Sequence, residues 1–127
     1  MKLGIVGSRR RILPADKELI RNRIHAHNPD IIVSGGCSKG ADRFAEELAV
    51  ELGISIMIFR PDFRRFTATT TKGDIINAYY ERNKKIAEAS DHLIALVASD
   101  RKGGTENTIN YFKKSGKEKM LEIYNEA

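Results

Sequence analysis

Three glycine turns carry the residues whose types and spacing are suited to binding an anion. Gly7-Ser8, Gly35-Gly36 with Gly40, and Gly103-Gly104-Thr105 each follow an apolar run and precede a helical pattern. Glycine lets backbone N–H groups approach an anion, and a helix N-terminus adds roughly half a positive charge. One such turn more often serves only to reverse the chain tightly. Three of them beside arginines indicate a phosphate cradle.

Basic side chains cluster in the same segments. Residues 7–11, 34–43, 59–66 and 98–105 hold ten basic against three acidic residues, whereas the rest of the chain holds 12 basic against 14 acidic. The ten are Arg9, Arg10, Arg11, Lys39, Arg43, Arg60, Arg64, Arg65, Arg101 and Lys102. The net charge of +5 is a mild bias toward anionic partners and does not separate nucleotides from nucleic acids.

The elements that must position these turns alternate between strand and helix. Apolar runs predict strands over residues 2–6, 31–33, 54–59 and 93–97, with an edge strand over 120–124. Helical periodicity predicts helices over residues 14–28, 44–52, 75–87 and 105–112. This alternation predicts an α/β fold, with a doubly wound and mostly parallel sheet of about five strands and helices on both faces. In such a sheet ligands bind outside the carboxyl ends of the strands, where the glycine turns fall.

Composition bounds the class of protein. A chain of 127 residues that is 41% hydrophobic and 31% charged predicts one domain over residues 1–127, able to fold without a disulfide or a metal. Its apolar runs are far shorter than the ~18 residues that a membrane-spanning helix needs. The single cysteine, Cys37, agrees with a reducing compartment. We therefore expect a cytoplasmic protein without a membrane partner.

Two known nucleotide motifs fail on inspection. Gly35 and Gly40 have the spacing of a P-loop, but Ala41 and Asp42 stand where its lysine and its Ser or Thr would be. The dinucleotide pattern GxGxxG is also absent. His25 and His27, two residues apart on a helix, face nearly opposite sides and make a poor metal pair. We expect neither a cofactor nor a bound metal.

Four signatures in order resemble the SLOG superfamily of Rossmann-like proteins. They are Gly7-Ser8-Arg9, the run from Ser34 to Asp42, Arg82-Asn83 and Gly104-Thr105, and the resemblance is strongest to the small YspA/cpYpsA-related branch. Cys37 stands where that branch usually has alanine. The resemblance implies a Rossmann-like SLOG domain that binds a nucleotide or a nucleotide-derived ligand, in a sensor or signalling or processing role. The ligand-binding residues that it predicts are Gly7, Ser8, Arg9, Ser34, Gly35, Gly36, Lys39, Asp42, Arg82, Asn83, Gly103, Gly104 and Thr105.

Two of these residues have competing interpretations. Asp42 falls in the first turn of its helix, where capping of backbone amides is the role we favour over ligand contact. Asn83 falls on an otherwise apolar stripe, and a buried asparagine needs hydrogen-bond partners. It either ties its helix to a strand end or reaches the ligand together with Arg82.

Related SLOG branches supply two alternative functions. Lonely-guy phosphoribohydrolases carry the motif PGGxGTxxE. Here the proline and the spacer are missing, Thr108 replaces the glutamate, and Glu106 falls on another helix face, so no catalytic residue is assigned. DprA/Smf proteins bind single-stranded DNA and share the GSR, SGG and RN signatures. Base stacking then has one candidate strip, formed by Phe59, Phe63 and Phe66. A homodimer is left open.

Overall fold

Strands and helices alternate along the chain. In the computed structural model, which describes residues 1–126, the elements are β1 (Lys2–Gly7), α1 (Pro14–His27), β2 (Ile31–Ser34), α2 (Ala41–Leu52), β3 (Ser55–Ile58), α3 (Lys72–Ala89), β4 (His92–Leu96), α4 (Gly104–Lys114) and β5 (Leu121–Tyr124). A short 3-10 turn over Glu118–Met120 leads into β5.

The five strands form one sheet in the order β3-β2-β1-β4-β5, and every neighbouring pair is parallel. The chain runs outward from β1 to β3, then crosses back through α3 to β4. The strand order therefore reverses between β1 and β4, which is where open α/β sheets bind ligands. The predicted α/β Rossmann-like fold is confirmed, and the predicted edge strand is β5.

Alternate residues of each strand serve opposite faces of the sheet. In β4, Ile94 and Leu96 pack beneath α1 and α2, while Leu93 and Ala95 pack beneath α3 and α4. Because both faces are covered, the strands appear in the sequence as continuous apolar runs without polar alternation. Phe112 of α4 is fully buried in the second cluster.

The ends of the helices follow local chemistry. α1 and α2 end at Asn28 and Gly53, both in the left-handed conformation that terminates helices. α3 begins three residues earlier than its apolar periodicity predicts. The reason is a capping box, in which the Thr71 hydroxyl accepts from the Asp74 amide at 3.1 Å and the Asp74 carboxylate accepts from the Thr71 amide at 2.9 Å. None of the helices found in residues 1–126 has the length and apolar character needed to span a bilayer.

Candidate functional site

Two adjoining cavities lie along the carboxyl edge of the sheet. The larger, of about 740 Å³, lies between the turn after β1 and the start of α4, with α3 as a wall. The smaller, of about 580 Å³, lies between the turn after β2 and the segment after β3. The residues that line both are Arg9, Arg10, Cys37, Tyr79 and Arg82. Together the cavities form one groove across the point where the strand order reverses.

The structure brings twelve of the thirteen predicted site residues to this groove. Those lining the larger cavity are Gly7, Ser8, Arg9, Asp42, Arg82, Asn83, Gly103, Gly104 and Thr105. Gly35, Gly36 and Lys39 line the smaller cavity. Ser34 lines neither, because it is fully buried at the end of β2, where its hydroxyl oxygen lies 3.5 Å from the Gly36 nitrogen. Its place is therefore behind the turn and away from the cavity surface.

The first two glycine turns touch each other through backbone. Gly40 has a φ of +72°, and a Cβ there would lie 2.6 Å from the carbonyl oxygen of Ser8. A Cβ on Gly7 would lie 2.7 Å from the Cβ of Ala41. These glycines let the turn after β1 pack directly on the start of α2, which brings Arg9 between the two cavities.

Two helices begin at this edge without a side-chain cap. The N-cap residues of α2 and α4 are Gly40 and Gly103, and within residues 1–126 no side chain accepts from their first-turn amides as Thr71 does for α3. The first residues of α4, Gly104 and Thr105, line the larger cavity. Amide donors at a helix N-terminus are well suited to an anionic ligand.

Arg82 and Asp42 form the buried polar centre of the groove. Nη1 of Arg82 donates to the Gly35 carbonyl at 2.7 Å, and the Cys37 amide donates to the Asp42 carboxylate at 3.0 Å. Burial raises the pKa of Asp42 despite the hydrogen bond from Cys37 and the charge of Arg82. Burial likewise lowers the pKa of Arg82 although Asp42 opposes the shift. Asp42 thus accepts from a backbone amide of the loop that precedes α2, and it also lines the larger cavity.

Asn83 joins two helices. Its side-chain nitrogen donates to the Gly104 carbonyl at 3.3 Å and to the Asn107 side-chain oxygen at 3.0 Å, while its oxygen accepts from Nε of Arg82 at 2.9 Å. The structural tie is therefore to the start of α4, where the sequence suggested a strand end. Since Asn83 also lines the larger cavity, this tie fixes the position of one cavity wall.

One residue of the basic cluster belongs to the protein interior. Arg11 is 5% exposed, and its guanidinium contacts Asp16 at 3.0 Å and the carbonyls of Val97 and Tyr124 at 2.8 and 2.9 Å. It anchors the turn after β1 to the ends of β4 and β5, so it is removed from the anion-binding set. Among the described residues, the cluster members that form no ion pair are Arg9, Lys39, Arg65 and Lys102.

Aromatic residues of α3 were missing from the predicted site. Tyr79 and Tyr80 line the larger cavity, and the Tyr79 ring lies 5.8 Å from Phe63, which itself lies 4.9 Å from Phe66. The guanidinium of Arg82 is 5.5 Å from the Tyr79 ring. The signal was present, because Tyr79 precedes Arg82 by three residues and so shares its helix face.

The sequence predicts Phe59 in the stacking strip, but Phe59 packs against the core beneath α3 and α4. It directly follows β3 and keeps the alternation of that strand. The aromatic strip is therefore composed of Tyr79 and Phe63, which line the smaller cavity, and Phe66, which packs on Phe63.

Thr108, which stands at the place of the Lonely-guy glutamate, and Glu106 have different surroundings on α4. Thr108 is buried, lines the larger cavity and donates its hydroxyl to the Gly104 carbonyl at 3.3 Å. Glu106 lies outside the cavity lining and forms a two-point ion pair with Arg101, both contacts at 2.9 Å. Asp42 is the carboxylate that faces the larger cavity.

A group with metal-ligand geometry lies at the other end of the sheet. Within the part of the chain that the structure describes, the group found is His27, His92 and Glu122. In the sequence His27 stands near His25, which makes a poor partner for a metal. In the structure the neighbours of His27 are His92 of β4 and Glu122 of β5.

Comparison with solved structures gives one informative neighbour. The chain is similar in fold to a DNA-processing protein. The neighbour is DNA processing protein A (DprA) from Streptococcus pneumoniae, with a TM-score of 0.70, 18% sequence identity, and coverage of 98% of this chain and 49% of that one. The chain thus spans about half the length of that protein. No protein-family model and no curated protein matches the sequence.

Proposed function

We propose that the chain binds a nucleotide or a nucleotide-derived ligand in the larger cavity. The observation that carries the proposal is that the Gly7-Ser8-Arg9 turn, with its exposed Arg9, and the uncapped start of α4 line the same cavity. The phosphate lies between them and accepts from the backbone amides at the start of α4 and from Arg9.

The opposite wall suits a base or sugar. Ile76, Tyr79, Tyr80 and Ile86 of α3 line the same cavity and offer apolar and aromatic surface. A volume of about 740 Å³ falls in the range of small-molecule sites, about 300–1,000 Å³. A polar turn facing an apolar wall fits a ligand with one anionic end, such as a nucleoside phosphate. The biological role that accompanies such binding is sensing, signalling or nucleotide processing.

A thermal-shift panel over nucleoside mono-, di- and cyclic phosphates, nucleotide sugars and short oligonucleotides tests the proposal. A ligand that binds only the folded state raises stability by RT ln(1 + [L]/Kd), about 2.7 kcal/mol at a hundredfold excess over Kd. We expect a rise in melting temperature with at least one nucleotide and none with its nucleoside. Equal rises in melting temperature with the nucleotide and its nucleoside would contradict binding through the phosphate.

Single-stranded DNA is the second candidate, and the aromatic strip favours it. Phe63 and Tyr79 line the smaller cavity together with Arg82, Phe66 lies 4.9 Å from Phe63, and Phe63 is 43% exposed. Stacked bases on aromatic side chains, with the backbone tracked by basic groups, are typical of single-strand binding. The fold likeness to a DNA-processing protein agrees with this candidate.

Salt dependence distinguishes the two candidates. On a single strand the log-log slope of affinity against salt is about −0.7 per phosphate contacted, so a mononucleotide site gives a shallow slope and an extended groove a steep one. The DNA proposal predicts that an oligonucleotide of about ten residues binds far more tightly than a mononucleotide. It also predicts that the double variant Arg64→Ala, Arg65→Ala makes the slope shallower. Equal affinity for the oligonucleotide and the mononucleotide would exclude it.

A further inference from the structure

Three potential metal ligands meet at the amino edge of the sheet, away from the groove. His27 is the last residue of α1, His92 the first of β4 and Glu122 the second of β5. Nε2 of His27 lies 2.5 Å and Nε2 of His92 lies 2.6 Å from the same carboxylate oxygen, Oε2 of Glu122. Both imidazoles therefore aim their Nε2 atoms at one point.

The surroundings hold this arrangement in place. The side chains of His27, His92 and Glu122 are only 17%, 15% and 21% exposed. The other carboxylate oxygen, Oε1, accepts from the Tyr124 hydroxyl at 2.5 Å and lies 2.9 Å from Nε of Arg23. Such outer contacts orient a carboxylate ligand and fix which oxygen it presents.

We propose that His27, His92 and Glu122 bind a divalent transition-metal ion, with Zn²⁺ as the first candidate. Two imidazole nitrogens and one carboxylate oxygen, all within 4.8 Å of one another, are a donor set that Zn²⁺ accepts and that leaves a fourth position for water. The same set suits Ni²⁺, Co²⁺ and Cu²⁺, whereas Mg²⁺ and Ca²⁺ prefer oxygen ligands throughout.

Metal binding must displace any proton carried by the Nε2 atoms of the two histidines. Each Nε2 atom contacts Oε2 of Glu122, and Nε2 of His27 also lies 3.3 Å from Nη2 of Arg23. To coordinate the ion each Nε2 must present its lone pair, so its proton moves to Nδ1 of the same ring or is released to solvent. The groups that face the ion are the two imidazoles, Glu122, Tyr124 and the cationic Arg23. Because Arg23 repels a dication, we expect weaker affinity than in sites with four protein ligands.

Isothermal titration of the chelator-treated full chain with ZnCl₂ tests the proposal, with MgCl₂ as the comparison ion. We expect one equivalent of Zn²⁺ to bind and no Mg²⁺. His92→Gln and Glu122→Gln each remove a ligand, so affinity falls at least about tenfold. The matched control is His25→Gln, an exposed histidine on the same helix as His27, which leaves affinity unchanged. Cys37→Ser reports on adventitious thiol binding and also leaves affinity unchanged.

An NMR titration of the parent chain needs no variant that might misfold. Zn²⁺ is expected to shift the imidazole resonances of His27 and His92 together and to leave those of His25 in place. Absence of Zn²⁺ binding overturns the proposal. So does binding that persists in Glu122→Gln and His92→Gln, or that depends on Cys37 or His25.

Discussion

The two edges of the sheet treat charged groups in opposite ways. At the carboxyl edge, burial raises the pKa of Asp42 and lowers the pKa of Arg82, so both groups are held where their charged forms are disfavoured. At the amino edge, burial also acts to raise the pKa of Glu122, but here it is opposed. There the contacts from Tyr124, His27, Arg23 and His92 outweigh it and bring that pKa to about 2.

The difference follows from what each edge is made of. The carboxyl edge consists of turns and of two helix starts without a side-chain cap, and its residues line the two cavities, whereas the amino edge consists of side chains from α1, β4 and β5 that contact one another. Charge that is disfavoured by its own surroundings marks a candidate ligand site. A charged group with several partners contributes to stability. At Glu122 the same contacts bring two imidazole nitrogens to one carboxylate oxygen.

The largest expected effect comes from Arg11, a buried arginine at the carboxyl edge whose charge is paired with Asp16. Arg11→Ala removes the ion-pair partner of the buried Asp16 and a donor to the carbonyls of Val97 and Tyr124, and loss of one member of a buried ion pair costs about 3–5 kcal/mol. Arg9→Ala, an exposed neighbour in the same turn, is the control and is expected to stay within about 0.5 kcal/mol. Urea denaturation of both variants provides the comparison. Equal losses would show that the turn tolerates neither change and that Arg11 has no special role.

Glu122→Gln tests the amino edge. The carboxylate loses four charged or polar contacts, so the free energy of unfolding at pH 7 should fall by about 1–3 kcal/mol. Because the folded pKa lies below the ordinary 4.5, the stabilisation is complete above pH 4.5 and is lost as the pH falls toward 2. Denaturation at several pH values should show parent and variant converging over that window. A difference that is constant with pH would assign the loss to packing.

Asp42→Asn tests the opposite sign at the carboxyl edge. Since the folded pKa of Asp42 is raised, the ionised carboxylate is a burden on the fold that is relieved as the pH falls through that raised value. The parent protein should therefore gain stability relative to Asp42→Asn as the pH falls. Relative to Glu122→Gln, the same parent protein should lose stability. We expect the effect at pH 7 to be smaller than that of Glu122→Gln. The same pH series measures both, and parallel trends at the two edges would break the comparison.

The smallest expected effect is catalytic. We predict little or no release of free base from nucleoside monophosphates, because Glu106 is paired with Arg101 outside the cavity and Asp42 is engaged by the Cys37 amide. Chromatography of a monophosphate panel gives the measurement, with Glu106→Gln and Asp42→Asn as controls. Turnover in the parent that either substitution abolishes would make the chain a hydrolase.

Local chemistry explains why the sequence predicted so much of the fold. Buried parallel strands appear as unbroken apolar runs, and Asn28 and Gly53 mark helix ends by the backbone conformation that they adopt. The position of the groove could also be predicted from the sequence, because the glycine turns follow parallel strands and the ends of such strands lie at one edge of the sheet. The sequence does not predict the burial of Arg11, because two of its three partners, the carbonyls of Val97 and Tyr124, are distant in the sequence.

The amino-edge cluster lay beyond sequence reasoning for the same reason. Glu122 is 95 residues from His27 and 30 from His92, and only the placement of β5 beside β4 brings the three together. Tyr79 and Tyr80 were a different kind of omission. An aromatic residue on a helix stripe is ordinarily core, and only the exposure of α3 at the groove shows that these two face a cavity.

Binding of a phosphate-containing ligand beside the start of α4 is the central claim, and a matched pair of glycine variants tests it most directly. Gly104 is the first residue of α4 and Gly73 the second of α3, and at each the nearest atom to an added Cβ is 3.6 Å away, so both positions accept a Cβ. Only Gly104 lines the larger cavity. Titration calorimetry with the best nucleotide of the panel should show affinity at least about a hundredfold weaker for Gly104→Leu, equal to about 2.7 kcal/mol, and unchanged for Gly73→Leu. Unchanged affinity in a folded Gly104→Leu protein would contradict the account.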